Sequence, residues 1–427
     1  MLRLCCDSLI KTVHFAKAIV PILCVLIFFL TAADGVGQEF TEPVVARIQM
    51  RLQKGEDFLD VIEKGDLLTV LSERDDGYLV LTSNGHRGLV GKENAMQLVE
   101  SVEIYDELIR DNPKESRYLT LRASAWWARG DQPKALADYD RAIELGSEEP
   151  HSFSSRAMFH ATLGNYEKAI ADYTTAIKLD SAEKSKPSKD DSLFINRAAV
   201  YMAKQEFDKA IRDYDEAIRR NENRASTYQQ RAVARKANDQ LENALIDFNK
   251  AIRLQPRNVD AWMGRGYVWF QVEDHAKAIA DFSKVLEIDP KSAEAYNNRG
   301  YSRQLLGKFS EALVDYQKAT DLSPTFSLPL QNQAMLLAAA QDKKFRNGKK
   351  AIEVATKACE LNNYQNFNDL KVLAAAFAED GQFEKAIGWQ ERAVELADDQ
   401  RRPGELAVLE QYQDKKPFRL GGEKEDE

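Results

Sequence analysis

The chain has 427 residues, of which 30% are charged and 9% aromatic, and its formal net charge is -9. That length allows two or three domains, and the composition is that of a foldable, soluble protein. The acidic balance argues against nucleic acid as the main partner, because neutralising phosphates takes a concentrated excess of Lys and Arg, and leaves room only for local basic patches. The N-terminus differs in kind from the rest. Arg3, Lys11 and Lys17 precede an unbroken apolar run of 13 residues, Ala18 to Leu30, and the small-residue stretch TAADGVGQ comes next. A membrane-crossing helix needs about 18 apolar residues. Counted through Ala33 this run has only 16, with Pro21 inside it. Residues 1–37 therefore read as a secretory signal, with cleavage after Ala33, Gly35 or Gly37 all in keeping, and an uncleaved anchor over 18–33 as the other reading. Either keeps the positive end inside and exports the remainder to a periplasmic or extracytoplasmic location. Cys24 comes after Pro-Ile-Leu and lacks the small residues of a lipoprotein box. Cleavage would leave Cys359 alone, with no intramolecular disulfide and the expected role of a small core residue.

Residues 43–100 are written in strand language. VVARI, DFLDVI, DLLTVLSE, GYLVLT and RGLVGKEN are short β-rich runs, and Asn84-Gly85 marks a tight hairpin. Five short strands in this span predict a small all-β barrel. The KGD before a strand, GYLVL and the closing GLVG resemble bacterial SH3-like domains, and the resemblance implies a cell-wall or peptide ligand. Of an aromatic ligand groove only Phe58 and Tyr78 are at hand. Residues 101–113 then predict a helix in register with the helical region C-terminal to it. Its Tyr105 and Leu108 stand 34 before Tyr139 and Ala142, as a half-repeat docking the β region onto the helices.

The rest of the chain repeats every 34 residues. Small residues recur at Ala135, Ala169, Ala210, Ala244, Ala278 and Ala312, and aromatics at Tyr139, Tyr173, Tyr214, Phe248, Phe282 and Tyr316. Twelve residues before each leading alanine stands another small residue: Ala123, Ala157, Ala198, Ala232, Gly266 and Gly300. Small residues let two antiparallel helices approach closely while the aromatic fills the groove to the next hairpin. Pro256, Pro290 and Pro324 end second helices, and Gly130, Gly164, Gly307 and Gly381 mark turns. The pattern resembles the tetratricopeptide repeat family over 116–396. It predicts a mainly α fold, an α-solenoid of helical hairpins with six regular units over 116–326, an insertion at 181–191 and two divergent units over 327–396. Five extra residues fall inside the turn of the seventh hairpin. A capping helix over 401–416 and a solvated, disordered tail over 417–427 complete the expectation.

A second recurrence runs through the regular units. Arg122, Arg156, Arg197, Arg231, Arg265 and Arg299 are each matched sixteen residues later by Asp138, Asp172, Asp213, Asp247, Asp281 and Asp315. The pair vanishes together in the last two units, which points to contact within each hairpin. A forked guanidinium suits a carboxylate, so a structural ladder is expected; the other reading is a row of arginines facing an acidic ligand. Exposed pairs contribute only about 0–1 kcal/mol each, which assigns the ladder to register more than to stability.

No catalytic constellation emerges: no Cys pair, HExxH, GxSxG or phosphate loop is present, so no cofactor, metal or small-molecule substrate is expected and the chain reads as a non-enzyme. The resemblance implies that first helices line a concave groove. Its candidate binding residues are Trp127, Met158, Met202, Lys236, Tyr267, Phe270, Asn297, Tyr301 and Gln304. Such an aromatic surface suits an extended peptide or a partner helix. In the seventh turn Lys343, Lys344, Arg346, Lys349 and Lys350 form a basic cluster, either a solvated turn or a contact for an anionic partner. The functional expectation is an exported interaction scaffold; the alternative is a cell-envelope tether whose SH3-like domain and basic turn hold peptidoglycan or a membrane surface. Oligomeric state is not encoded in any of these signals.

Overall fold

The computed structural model describes residues 42–54, 57–182 and 190–421. The signal or anchor segment, most of the 181–191 insertion and the last six residues lie outside them. Two compact units divide the chain, one ending at Thr227 and the other beginning at Tyr228.

The first unit opens with seven strands: β1 (Val44–Ala46), β2 (Met50–Lys54), β3 (Asp57–Ile62), β4 (Leu67–Arg74), β5 (Gly77–Leu81), β6 (Arg87–Val90) and β7 (Ala95–Gln97). Five of them form one antiparallel sheet in the order β6-β5-β4-β1-β7, while β2 and β3 pair only with each other. The barrel expected from the sequence is therefore an open sheet covered by a hairpin. The reason is that β2 meets β6 through side chains instead of backbone hydrogen bonds: Leu52 fills the space over Gly88, where an added Cβ would lie 2.0 Å from its Cδ1. Val44, Leu52, Ile62, Leu68, Val70, Val80 and Val90 make one shared core. The β5–β6 turn is pinned by Asp60, which accepts from the Thr82 hydroxyl at 2.7 Å and from the Asn84 amide at 2.9 Å. Those hydrogen bonds, the Thr82 one foremost, hold the Asp60 carboxyl down at about 2.

Helix α1 (Val102–Asp111) docks directly on the sheet. Tyr105 is fully buried and its hydroxyl donates to the Gly65 carbonyl at 3.1 Å, while Lys64 pairs with Glu107 at 2.6 Å. Val45, Leu98, Val102, Leu121 and Ala125 close the junction. Beyond α1 the helices come in pairs: α2 (Ser116–Ala128) with α3 (Gln132–Glu144), α4 (Pro150–Thr162) with α5 (Tyr166–Ala182), and α6 (Ser192–Ala203) with α7 (Phe207–Arg220). The first two residues of the insertion, Ser181 and Ala182, extend α5.

α8 (Ala225–Ala237) spans the dividing line. The second unit continues with α9 (Leu241–Leu254), α10 (Val259–Gln271), α11 (His275–Ile288), α12 (Ala293–Leu305), α13 (Phe309–Leu322), α14 (Ser327–Ala339), α15 (Gly348–Leu361), α16 (Phe367–Glu379), α17 (Phe383–Leu396) and α18 (Arg402–Gln413). Among the described residues no helix is long and apolar enough to cross a membrane.

One turn geometry recurs between the two helices of a hairpin. Gly130, Gly164, Gly307 and Gly381 adopt positive φ there, and Gln205, Asp239 and Glu273 take the same conformation at the corresponding positions without glycine's freedom, at a cost of about 1 kcal/mol each. The close helix approach foreseen from the small residues is tight. An alanine Cβ at Gly266 would lie 2.7 Å from Phe282 Cε1, in a ring that is itself fully buried. Gly266→Ala is accordingly expected to destabilise the protein by about 1 kcal/mol, the overpacking cost exceeding the helix-propensity gain. Urea denaturation monitored by circular dichroism checks this, and a stabilised variant would mean that the hairpin breathes.

The end of the chain departs from the sequence expectation. Residues 417–421 are not a solvated tail: Phe418 and Leu420 pack on the core of the last hairpins, and the Leu420 amide donates to the Ala339 carbonyl at 2.9 Å. α14 has buried residues all round, from Pro329 through Ala339, because α16 packs directly upon it.

Candidate binding surfaces

The arginines and aspartates that recur along the sequence meet. In all six regular hairpins Nε and one terminal nitrogen of the arginine donate to the two carboxylate oxygens of its aspartate, over 2.6–3.0 Å. These forks are far from exposed. Asp281 is 3% accessible and Asp247 and Asp315 are 1%. The exposed-pair value of about 0–1 kcal/mol therefore does not apply to them. Hydrogen bonding to Asp138 and Asp172 holds the Arg122 and Arg156 guanidinium groups above their ordinary range, whereas burial is the larger influence on Asp281 and pushes its carboxyl up.

Two further sets of residues complete the ladder, and neither is among the sequence candidates. The free terminal nitrogen of the arginine reaches back to a polar side chain of the preceding helical element: Asp106 for Arg122, Asp140 for Arg156, Thr174 for Arg197, Asn249 for Arg265 and Ser283 for Arg299. Three residues before the arginine an aromatic ring lies under the guanidinium, as with Phe194, Tyr228, Trp262 and Tyr296. Each arginine thus ties its own two helices together, and Arg122, Arg156, Arg197, Arg265 and Arg299 also hold the preceding helical element through the third nitrogen. The signal for the rings is in the sequence, since 194, 228, 262 and 296 are 34 apart.

On the first helices of the second unit, four of the predicted groove residues form one cluster. The Lys236 ammonium sits 5.4 Å over the Tyr267 ring, and Phe270 lies 5.6 Å from Tyr301, centroid to centroid. The Tyr267 hydroxyl donates to Glu294 and accepts from the Asn298 amide at 2.7 Å. All four are half-buried. Burial lowers the Lys236 pKa, and among the described residues no carboxylate pairs with it. Asn297 does not belong to this surface. It is 1% accessible, accepts from Asn332 at 2.9 Å and donates to Asn298 at 3.2 Å, because its helix position faces the next hairpin. Gln304 is half-buried and its carbonyl oxygen is taken by the Tyr316 hydroxyl at 2.8 Å. In the first unit Trp127 meets Phe159 edge-on at 5.5 Å, and Met158 and Met202 are half-buried.

The basic turn divides by role. Arg346 is structural: it lies 3.2 Å from the Glu379 carboxylate and donates to the Ala340 carbonyl, also at 3.2 Å. Lys344 pairs with Asp342 and Lys350 with Glu353. Only Lys343 and Lys349 remain exposed without a partner among the described residues.

Comparison with known proteins bears on this architecture. Family models described as Tetratricopeptide repeat match residues 100–150, 151–183, 192–224, 230–293 and 293–326, together half of the chain. The chain belongs to the tetratricopeptide repeat family. No curated protein matches it. Among solved structures, the C-terminal part of a tetratricopeptide repeat-containing protein from Cytophaga hutchinsonii is 20% identical, with 61% of this chain and 99% of that one covered at a TM-score of 0.50. A tetratricopeptide repeat protein from Parabacteroides merdae is 22% identical over 61% and 92%, with a TM-score of 0.40. YrrB, described as a tetratricopeptide repeat protein with an unusual peptide-binding site, is 23% identical over 45% and 96%, with a TM-score of 0.38. The first of these likenesses speaks for the shared fold of stacked hairpins.

Within this tetratricopeptide repeat chain Cys359 and His151 sit in surroundings that suppress their reactivity. Cys359 is fully buried, and burial pushes its thiol up to about 12. Burial alone lowers His151 to about 4, so it is neutral at pH 7. Among the described residues no group of three or more His, Cys, Asp and Glu could hold a metal ion.

Proposed function

We propose that this chain is an exported, non-catalytic scaffold that holds an extended peptide or a partner helix in the groove of its second unit. The observation that carries the reading is the cluster of Lys236, Tyr267, Phe270 and Tyr301 on three successive first helices, α8, α10 and α12. Half-buried aromatic rings held by their neighbours lose little freedom on binding and supply the kind of anchor that dominates protein interfaces. A half-buried ammonium with no carboxylate beside it gains most from an acidic side chain on the ligand. Membership of the family supports an interaction role, and the apolar run Ala18–Leu30 motivates the assignment to the cell exterior. Peptidoglycan or membrane attachment through the SH3-like β region is the competing reading.

The test is affinity purification of the full-length chain from its native host, with co-purifying proteins identified by mass spectrometry, beside a Tyr267→Ala/Phe270→Ala/Tyr301→Ala variant. Loss of a well-buried ring anchor costs about 2 kcal/mol, or about thirtyfold in affinity, so the triple variant should lose its partner altogether. A Lys236→Glu variant, which keeps the rings, guards against misfolding and should also weaken an acidic partner. Partners retained by both variants, or cell-wall material in place of protein, would move the site out of this groove.

A further inference from the structure

The last helical turn of α14 has no glycine cap. Its carbonyl groups, which a helix leaves without partners, are taken up by the turn that follows it and by the C-terminal segment. The Asn347 amide donates to Leu337 at 2.8 Å and the Leu420 amide to Ala339 at 2.9 Å. Arg419 reaches the Ala338 carbonyl at 3.4 Å and Arg346 the Ala340 carbonyl at 3.2 Å. The same Arg419 guanidinium stands 2.7 Å from Glu379, whose other oxygen faces Arg346 at 3.2 Å. Phe418 and Leu420 lie partly buried on either side of it, against the core of the last two hairpins.

After α18 the chain reverses at Lys415, which adopts a φ of 59°, and runs without regular structure through 416–419. It therefore approaches its seat as an extended peptide would, reading it with one backbone amide, one arginine and two apolar side chains. Its departure would be cheap. Glu379 keeps Arg346 as a counter-charge, so no buried carboxylate is stranded, and the carbonyls that the segment uncovers at the end of α14 can be hydrated once it leaves. The core underneath is already closed by Leu330, Ala334, Leu370 and Leu373.

We propose that the seat formed by the end of α14 and Glu379 is an exchangeable peptide site. Its ligand is an extended protein segment in which an arginine stands between an aromatic and an aliphatic residue, and the chain's own Phe418-Arg419-Leu420 is the resident occupant. This site is separate from the groove cluster, and neither reading depends on the other. A resident segment competes at an effective concentration on the order of millimolar, so only a partner that binds more tightly, or at high local density, displaces it.

The test uses the full-length chain and a fluorescent synthetic peptide of sequence KKPFRLG, measured by fluorescence anisotropy. A Phe418→Ala/Arg419→Ala/Leu420→Ala chain, checked for helicity by circular dichroism, should bind the peptide at least tenfold more tightly than the wild-type chain does. The peptide KKPFALG should lose at least tenfold on the same variant. Equal binding of the two peptides, or no binding to the folded variant, would overturn the proposal. Should the variant not fold, hydrogen exchange on the wild-type chain decides. Excess KKPFRLG should accelerate exchange of the Leu420 amide while α14 stays protected, and unchanged exchange at millimolar peptide would count against an exchangeable seat.

Discussion

Arg265→Ala is expected to lower the unfolding free energy by about 3–5 kcal/mol, the range for leaving one member of a buried ion pair unpaired. Arg265 donates to both oxygens of Asp281, at 2.8 and 2.6 Å, and to Asn249 of the preceding hairpin, and it lies 4.6 Å from the Trp262 ring. Removing it strands a carboxylate that is 3% accessible. It also releases one of the ties to the neighbouring hairpin. Arg265→Lys should lose nearly as much, because one ammonium cannot satisfy a fork and a third partner together. The decisive comparison is Arg265→Leu/Asp281→Leu, which removes both charges and fills their volume. It should recover most of the loss, since desolvating the pair costs about as much as the attraction returns. Urea denaturation of the four chains measures this, and a single variant within about 1 kcal/mol of wild type would return the ladder to the class of exposed pairs.

The second large effect belongs to Asp369, in the first turn of α16. It is fully buried, and burial outweighs its hydrogen bond from Asn362, 2.7 Å long, pushing its carboxyl from 3.8 to about 6. A carboxyl whose pKa is raised on folding holds its proton more tightly in the folded state. Its contribution is therefore most favourable below about pH 4, declines as pH rises to about 6 and is fully lost above about 7; the shift corresponds to about 3 kcal/mol. Asp369→Asn keeps an acceptor for Asn362 and removes the charge. The variant should be about 2–3 kcal/mol more stable than wild type at pH 7.5 and nearly equal to it at pH 4. Glu353, which Lys350 and Lys357 hold down to about 2, acts in the opposite direction and only as pH falls below its ordinary 4.5, so the two windows separate. Unfolding measured at pH 4 and 7.5 tests the assignment. Equal stability of variant and wild type at both would mean that water reaches the Asp369 carboxylate.

The repeat and its ladder were legible because they recur. A contact made every 34 residues writes itself into the sequence as residue types that appear and disappear together, as Arg and Asp do until Gln333 and Leu373 replace the arginine. At the first of these the position still carries a cross-hairpin hydrogen bond, from Gln333 to Gln317. The rings under the guanidinium groups carried the same periodic signal. The members of the groove cluster were legible for a similar reason: repeat position alone places Lys236, Tyr267, Phe270 and Tyr301 at equivalent places on successive first helices.

Contacts made once leave no such trace. Asn297 has the helix position of a groove residue, and only the packing of α12 against α14 buries it. The β region has the strands of a barrel, yet whether its edges meet depends on how Leu52 sits over Gly88. The C-terminal Phe418-Arg419-Leu420 looks in sequence like the start of a solvated tail. Arg419 meets a carbonyl 81 residues back in the chain, and neither that distance nor the missing glycine cap of α14 has a periodic counterpart. Periodicity therefore determined the hairpins and what binds each to itself, while tertiary packing alone decided which repeated positions stay accessible, because accessibility depends on how closely neighbours approach and not on residue type.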